Sequence, residues 1–274
     1  MKGNSVNLKL KTPYVLSAVI AALMAVQAIV GRLFESQYRD VAWVKLTWVG
    51  NDLVTLLLAV PLLILGVALA RRGSARGTVL WLGMLGYCIY NYAFYLLGTA
   101  LNVFFPLYVL LAVLSVVTMV LALTRVDAAA LSASLREKAP VRAIGGYLIF
   151  VAVGLATVEL GVWAAYAFAG RPTPVEPEAF KLVAALDTSI MVPALAFGGV
   201  LLWRRSIWGV IVAGIAGVQA SLYLLVLALN STNAIRLGTI ASPGELPIWG
   251  PLFVGTTVAT TALMWSLRPN RSSK

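Results

Sequence analysis

The sequence predicts an all-α integral membrane protein with eight transmembrane helices. Of its 274 residues, 61% are hydrophobic and only 11% are charged. The mean hydropathy is +0.91. The apolar residues also gather in eight runs, each about long enough to cross a bilayer as a helix. An ordinary water-soluble domain does not have this composition, so membrane spans explain the chain best.

The eight predicted spans follow one another through the whole chain, separated by short polar segments. In order, they cover residues 14–31, 52–70, 78–100, 106–124, 143–169, 185–203, 207–229 and 248–267. The first run follows Lys2, Lys9 and Lys11, a pattern that also describes a signal peptide. We favour a span, because the run is long for a signal sequence and its removal would leave the first half one helix short.

The distribution of basic residues predicts how the bundle is oriented. An even number of spans puts both termini on one side, and fifteen of the 21 lysines and arginines belong to that side, against six on the other. Cytoplasmic loops carry the excess of positive charge in membrane proteins. We therefore expect a cell-membrane protein with cytoplasmic termini. The net charge of +11 is explained by topology, so we expect the lipid bilayer and no nucleic acid as a partner.

Acids, prolines, glycine pairs and arginines follow one another in the same order in the two halves of the sequence, which predicts an internal duplication. Residues 1–140 and 141–274 would each form a four-helix repeat within one membrane domain. The matching residues are Asp52, Pro61 and Arg71-Arg72 with Asp187, Pro193 and Arg204-Arg205, and Gly83, Gly86 and Tyr92 with Gly214, Gly217 and Tyr223. An even number of helices per repeat keeps both halves parallel. We therefore expect a pseudo-two-fold axis along the membrane normal.

Few ionisable residues lie within the spans, and such residues mark functional sites by default. Glu159 is predicted at mid-depth in the fifth span, where it must be neutral, paired or in contact with water. Asp52 and Asp187 are predicted at the outer mouths of the second and sixth spans. There they would either cap helix N-termini or attract cations. The candidate ligand- or ion-binding residues are Glu159, Asp52, Asp187, Gln27, Asn91, Gln219, Tyr90 and Tyr223.

Three further segments carry expectations. The third span is rich in aromatic residues, with Tyr87, Tyr90, Asn91 and Phe94 on one helical face, which favours either a pocket for a cation or amphipathic ligand or a packing layer. Residues 32–50 are typical of an interfacial helix or a lid, and their tryptophans favour the helix. Residues 126–139 are expected to form a short linker helix between the repeats.

Missing residue types exclude several chemistries. The chain has no histidine, which excludes histidine-ligated haem, HExxH zinc sites and Ser-His-Asp triads. It has no Walker A sequence and no lysine in the middle of a span, so neither ATP binding nor a retinal-type Schiff base is expected. Cys88 is the single cysteine, which excludes an intramolecular disulfide. We expect no cofactor and no metal site, and the sequence identifies no catalytic residue.

Three functions remain compatible with this pattern. We favour a small proton- or cation-linked carrier with an outward-facing polar cavity, because the duplication and the intramembrane acid are typical of transporters. The alternative is a non-transporting scaffold, accessory or sensory subunit, which would need a partner subunit or self-association. The third is a membrane-embedded enzyme that uses carboxylates on a lipid-like substrate. The substrate is not evident from the sequence.

Overall fold

The computed structural model describes residues 10–238 and 246–268, without the side chains of Ala42 and Trp43. Within these ranges the chain is helical, and an isolated β-bridge joins Leu135 to Leu267. Eight helices in this part of the chain are long and apolar enough to cross a membrane. The prediction of an all-α, multi-pass membrane protein with eight spans is confirmed at this level. Lys2, Lys9, Arg271 and Lys274, which entered the charge count, lie outside the described residues.

The spans are built from continuous helices, two of which contain a wider π-helical turn. The helices are α1 (Lys11–Leu33), α2 (Ala42–Val54), α3 (Val60–Arg71), α4 (Ala75–Gly98), α5 (Phe105–Leu123), α6 (Ala128–Ala133), α7 (Val141–Ala169), α8 (Pro177–Leu186), α9 (Val192–Trp203), α10 (Gly209–Arg236) and α11 (Leu246–Trp265). A π turn over Thr55–Ala59 joins α2 to α3, and another over Asp187–Met191 joins α8 to α9. Each joined pair forms one span.

The second and sixth spans begin earlier than the apolar runs indicate. The residues that precede α2 and α8 are Val41 and Glu176, and neither forms a side-chain cap. Asp52 and Asp187 each lie ten residues after the first residue of their helix, about 15 Å along the axis. The interpretation of these aspartates as helix caps is therefore wrong. Hydropathy missed the first turns because residues 42–51 and 177–186 mix polar with apolar side chains.

The interfacial helix expected within residues 32–50 is not a separate element. A short 3₁₀ turn, Glu35–Gln37, leads to α2, which continues directly into the second span. Trp48 is buried rather than placed at a membrane surface, and its ring packs 5.0 Å from that of Tyr95 between centroids. Trp48, one of the two tryptophans that favoured an interfacial helix, is therefore part of the core.

A proline follows each π turn and accounts for its position. Pro61 and Pro193 have no N–H group and cannot donate to the carbonyl four residues before them. Directly before each proline, the chain instead forms a bond to the carbonyl five residues back: Val60 N–H donates to Thr55 O, and Val192 N–H donates to Asp187 O. Such wide turns interrupt the regular ladder inside a helix and occur frequently at functional sites.

Helices α4 and α10 form the centre of the bundle and pack against each other. A Cβ atom at Gly83 would lie 2.5 Å from Val218 Cβ, and one at Gly214 would lie 2.3 Å from Val79 Cγ1. The glycines thus allow the two backbones to approach closely, as is common where membrane helices pack. Around this pair, α4 contacts α3 and α5, whereas α10 contacts α9 and α11.

The outer helices close each half in the same way. Helix α1 packs against the α2–α3 span and α5, and α7 packs against α9 and α11. Each half also reaches the central helix of the other, because α2 contacts α10 and α8 contacts α4.

One end of the bundle, called here the arginine-rich end, carries Arg71, Arg72, Arg76, Arg204 and Arg205. The linker there contains the expected short helix, α6, whose N-terminus is capped by Asp127 through Ala130 N–H at 2.9 Å. The linker is tied to the end of α11, since Arg136 N–H donates to Ser266 O at 2.9 Å. Arg76 Nη2 donates to Leu267 O at 3.0 Å. This bond joins the start of α4 to the chain directly after α11.

Candidate functional site

Asp52 is fully buried and is held by three neutral donors. Its Oδ2 atom accepts a hydrogen bond from Tyr38 Oη at 2.6 Å, and its Oδ1 atom accepts from Tyr95 Oη at 2.7 Å and from Gln27 Nε2 at 2.8 Å. These donors come from α1, from the connection over residues 34–41 and from α4. The second span therefore presents its acid to residues from three neighbouring segments, and we call this group the Asp52 cluster.

A glycine on α1 makes room for the Asp52 cluster. A Cβ atom at Gly31 would lie 2.4 Å from Asp52 Oδ2 and 2.7 Å from Tyr38 Oη. The helix can thus pass directly over the carboxylate. Burial and the neighbouring Asp52 carboxylate raise the pKa of Tyr38 well above its ordinary value, so this hydroxyl stays a neutral donor at any physiological pH.

Asp187 is the centre of a second group, the Asp187 cluster, on the sixth span. It is fully buried, and its two oxygens accept hydrogen bonds from Tyr90 Oη and from Tyr223 Oη, the latter at 2.9 Å. The two tyrosine rings pack edge to face, 5.0 Å apart between centroids. Tyr90 lies on α4 and Tyr223 on α10, so the Asp187 carboxylate links the two central helices.

Glu159 lies on the fifth span and is 8% exposed. Helix α7, which carries Glu159, packs against the π turn that contains Asp187. The buried acids of the fifth and sixth spans therefore lie on segments that contact each other.

The structure brings five of the eight predicted site residues into the two clusters. Gln27 and Asp52 meet in one, and Tyr90, Asp187 and Tyr223 meet in the other. Glu159 lies on the helix that packs against the π turn of Asp187. Asn91 and Gln219 are buried but join neither group through the contacts described. Asn91 Nδ2 and Gln219 Nε2 have no hydrogen-bond partner among the described residues.

Two cluster residues were not among the predicted site residues. Tyr38 lies in the segment 32–50, for which an interfacial helix or a lid is expected, and Tyr95 lies in the aromatic third span, but the sequence connects neither to an acid. A helical wheel gives a signal for Tyr95, since five residues separate it from Tyr90 and therefore direct the two rings to different faces of α4. Tyr90, on the aromatic face expected over 87–94, donates to Asp187, whereas Tyr95, outside that face, donates to Asp52.

Neither aspartate forms a salt bridge with a basic side chain in the described part of the chain. The ion pairs in the described part of the chain are Arg32 with Glu35 and Lys181 with Glu178, and all four of these side chains are exposed. A carboxylate that is removed from water and faces only neutral donors carries a large desolvation cost. Uptake of a proton or a small cation would remove that cost, so both sites are suited to bind one.

The clusters are closed in this conformation. Asp52 and Asp187 are each 0% exposed, so the outward-facing cavity expected from the sequence is not open at either acid. Two grooves lie at the arginine-rich end instead. Within the described residues, no group of three or more histidine, cysteine or acidic side chains is arranged to hold a metal ion.

No family model, curated protein or solved structure matches the chain. The assignment of a function therefore depends on the geometry of the two clusters alone.

Proposed function

We propose that the protein is a small secondary carrier that binds a proton or a small cation at Asp187 and Asp52. One observation carries this proposal: both acids are fully buried about ten residues inside their spans, and only neutral side chains donate to them. Intramembrane acids without a basic partner are typical of proton and ion pathways. An amphipathic solute coupled to that ion is the substrate class that the aromatic surroundings favour.

The Asp187 cluster provides the coupling in this mechanism. An ionised Asp187 accepts hydrogen bonds from Tyr90 and Tyr223 and so holds α4 and α10 on one carboxylate. A protonated Asp187 carries an O–H donor and no charge, so one of these two hydroxyls has to accept instead of donate, and the bond from the other becomes weaker. Ion uptake thus weakens a link between the halves, and the halves can then rearrange around α4 and α10. In this mechanism Glu159, on the helix that packs against the π turn of Asp187, is a second ion site.

The duplication of residues 1–140 as 141–274 is part of this proposal, since carriers commonly alternate by moving one repeat against the other. The order of helix packing within each half supports it. The ends of α3 and α9 support it further, because Ser74 N–H donates to Leu69 O and Ser206 N–H donates to Leu201 O in matching turns. In this proposal, a pseudo-two-fold axis lies along the membrane normal.

The orientation we propose places the arginine-rich end and both termini in the cytoplasm of a cell bounded by this membrane. Among the described residues, eleven lysines and arginines lie toward that end and six toward the other. The residues counted at the arginine-rich end are Lys11, Arg71, Arg72, Arg76, Arg125, Arg136, Lys138, Arg142, Arg204, Arg205 and Arg268. The imbalance follows the positive-inside rule.

A second candidate function is a static scaffold or accessory subunit. The complete burial of both aspartates, with two or three hydrogen bonds each, favours it, since satisfied buried networks stabilise a single structure. In that role the clusters would only hold helices together, and a partner subunit would carry the activity. A membrane-embedded enzyme is less well supported, because neither aspartate is exposed to a lipid substrate in this conformation.

Charge movement in reconstituted membranes separates the carrier from the scaffold. The purified protein is adsorbed as proteoliposomes on a solid-supported membrane, and currents are recorded after jumps in pH, Na⁺ or K⁺. We expect a transient current after at least one of these jumps. The Asp52→Asn/Asp187→Asn double variant should lose it, because neither amide can take up a proton. Asp127→Asn, which changes an acid outside the spans, is the matched control and should keep the current.

Two results would overturn the carrier proposal. One is a wild-type protein that gives no current after any of the three jumps although it is folded and correctly inserted. The other is an unchanged current in the double variant. Copurification of an additional subunit in a fixed ratio, combined with the first of these results, would establish the scaffold.

A further inference from the structure

A groove at the arginine-rich end combines basic and apolar surfaces between α7 and α9. Its basic part has a volume of about 430 Å³ and is lined by Arg142, Arg204 and Arg205 together with Pro140 and Trp203. It adjoins an apolar part of about 290 Å³, lined by Ile149, Val200, Trp203 and Arg204. Trp203 and Arg204 belong to both parts, so the two surfaces are continuous.

The groove runs from the level of the arginines toward the middle of the membrane. Seven residues separate Arg142 from Ile149 on α7, which corresponds to about 10 Å of helix. Val200 lies one turn before Arg204 on α9. The basic part therefore lies where lipid headgroups are, and the apolar part lies where acyl chains begin.

Glycines shape this groove. Gly145 on α7 and Gly199 on α9 bring the two backbones into contact, because a Cβ atom on either would lie 2.6 Å from the carbonyl oxygen of the other. Gly146 faces the Trp203 ring, which would lie 3.5 Å from a Cβ atom at that position. The close crossing forms the floor, and the larger side chains beside it form the walls.

The three arginines of the groove have no acidic partner among the described residues. Arg205 donates to the backbone carbonyls of Glu137 and Ala139, at 2.5 and 3.4 Å. These bonds hold its guanidinium near the start of α7, whose first turn has no side-chain cap. Three positive charges thus converge on the groove.

The backbone of Arg205 is strained. Its φ angle is +50°, and among the described residues no other residue except glycine has a positive φ. The matching turn at the end of α3 has Gly73 there, with φ of +76°. Glycine adopts this conformation without cost, whereas other residues do so at the expense of about 1 kcal/mol or more. Strain of this kind persists where the side chain has a use.

From these features we infer that the groove is a specific binding site for an anionic phospholipid. The phosphate of the headgroup lies among Arg142, Arg204 and Arg205, and an acyl chain lies along Ile149 and Val200 beneath Trp203. Arginine recognises phosphate through paired, charged hydrogen bonds. Basic pockets between transmembrane helices are known to hold anionic headgroups. The continuity of the apolar part with the basic part favours an intact lipid over free phosphate.

Native mass spectrometry of the full-length protein in a nonionic detergent tests this site. Phosphatidylglycerol and phosphatidylcholine with identical acyl chains are titrated, and we expect tighter binding of phosphatidylglycerol. The Arg142→Gln/Arg204→Gln double variant should weaken that binding on the order of thirtyfold. Arg71→Gln/Arg72→Gln removes two arginines from the same end outside the groove and should leave the affinity unchanged. Equal losses in the two double variants would overturn the proposal.

Two further variants separate binding from folding. Arg205→Gly loses the bonds to Glu137 and Ala139 but relieves the backbone strain, which offsets that loss. It should therefore still fold while binding phosphatidylglycerol roughly fivefold more weakly. Val200→Trp fills the apolar part and should weaken lipid binding with all three arginines present. An unchanged affinity in both variants, or displacement of the lipid by an equimolar amount of inorganic phosphate, would contradict a lipid site.

Discussion

At the scale of residues, the two clusters use tyrosine hydroxyls in place of water around buried acids. Each aspartate receives at least two hydrogen bonds from neutral side chains. A hydroxyl on a large ring can reach an acid from a neighbouring helix while its ring fills the space between them. The same side chains therefore pack the core and stabilise the charge, which explains the presence of Tyr90 and Tyr95 in the third span.

Removal of one such hydroxyl should be measurable in stability. Tyr95→Phe keeps the ring but removes one of the three donors to Asp52. We expect the free energy of unfolding in detergent to fall by about 1–3 kcal/mol, the usual range for a hydrogen bond to a charged group. Tyr166→Phe is the matched control, because Tyr166 is 48% exposed on α7. Indistinguishable unfolding curves for the two variants would show that the Asp52 cluster does not depend on Tyr95.

At the scale of elements, the positions of glycines decide how closely helices pack. Gly145 and Gly199 contact each other through backbone atoms. A side-chain rotation therefore cannot make room for a Cβ atom on either glycine. Gly154 lies on the same helix, α7, and a Cβ atom added there would have no neighbouring atom within 4 Å. One helix thus contains both a glycine that packing requires and one that it does not.

The two glycines should respond oppositely to alanine. In Gly145→Ala the new methyl group would lie 2.6 Å from Gly199 O, which forces α7 and α9 apart. We expect a loss of about 1–3 kcal/mol in the free energy of unfolding. Gly154→Ala should be neutral or stabilising by up to about 1 kcal/mol, since alanine favours helix over glycine. Chemical unfolding followed by tryptophan fluorescence measures both, and an equal effect at the two positions would refute a tight crossing at Gly145.

At the scale of the whole molecule, the orientation in the membrane determines which side the clusters can open to. Asp52 and Asp187 each lie ten residues after the start of α2 or α8. Both helices start at the end of the bundle opposite the arginine-rich end. If that end faces outward, the shortest way from either acid to water leads outside. The orientation is thus the link between the position of the acids and the direction of any transport.

Cysteine labelling in intact cells tests this orientation. Cys88 is fully buried and is first replaced by alanine. In that background, Pro174→Cys places a thiol in the connection between α7 and α8, and Glu137→Cys places one in the linker at the arginine-rich end; neither change removes a lysine or arginine. We expect a membrane-impermeant maleimide to label the first variant in intact cells and the second only after permeabilisation. The reverse pattern would invert the proposed topology.

The number of spans and their order could be read from the sequence because hydropathy is a local property. An apolar run of sufficient length must cross the bilayer as a helix wherever it lies in the chain. The same reasoning misplaced Asp52 and Asp187 at helix ends, because the first turns of α2 and α8 are amphipathic and give no hydropathy signal. Sequence reasoning still selected both aspartates and Glu159, since a charge within an apolar run is itself a local signal.

What the sequence by itself determined is therefore the eight-helix membrane fold and the small set of acids on which a function can depend. Only the tertiary structure decided the partners of those acids. Asp52 meets Tyr38 and Tyr95, whereas Asp187 meets Tyr90 from the first half of the chain and Tyr223 from the second. These pairings depend on the rotation of each helix about its axis and on the contact between α4 and α10. Both are set by packing over the whole bundle, which no local stretch of sequence contains.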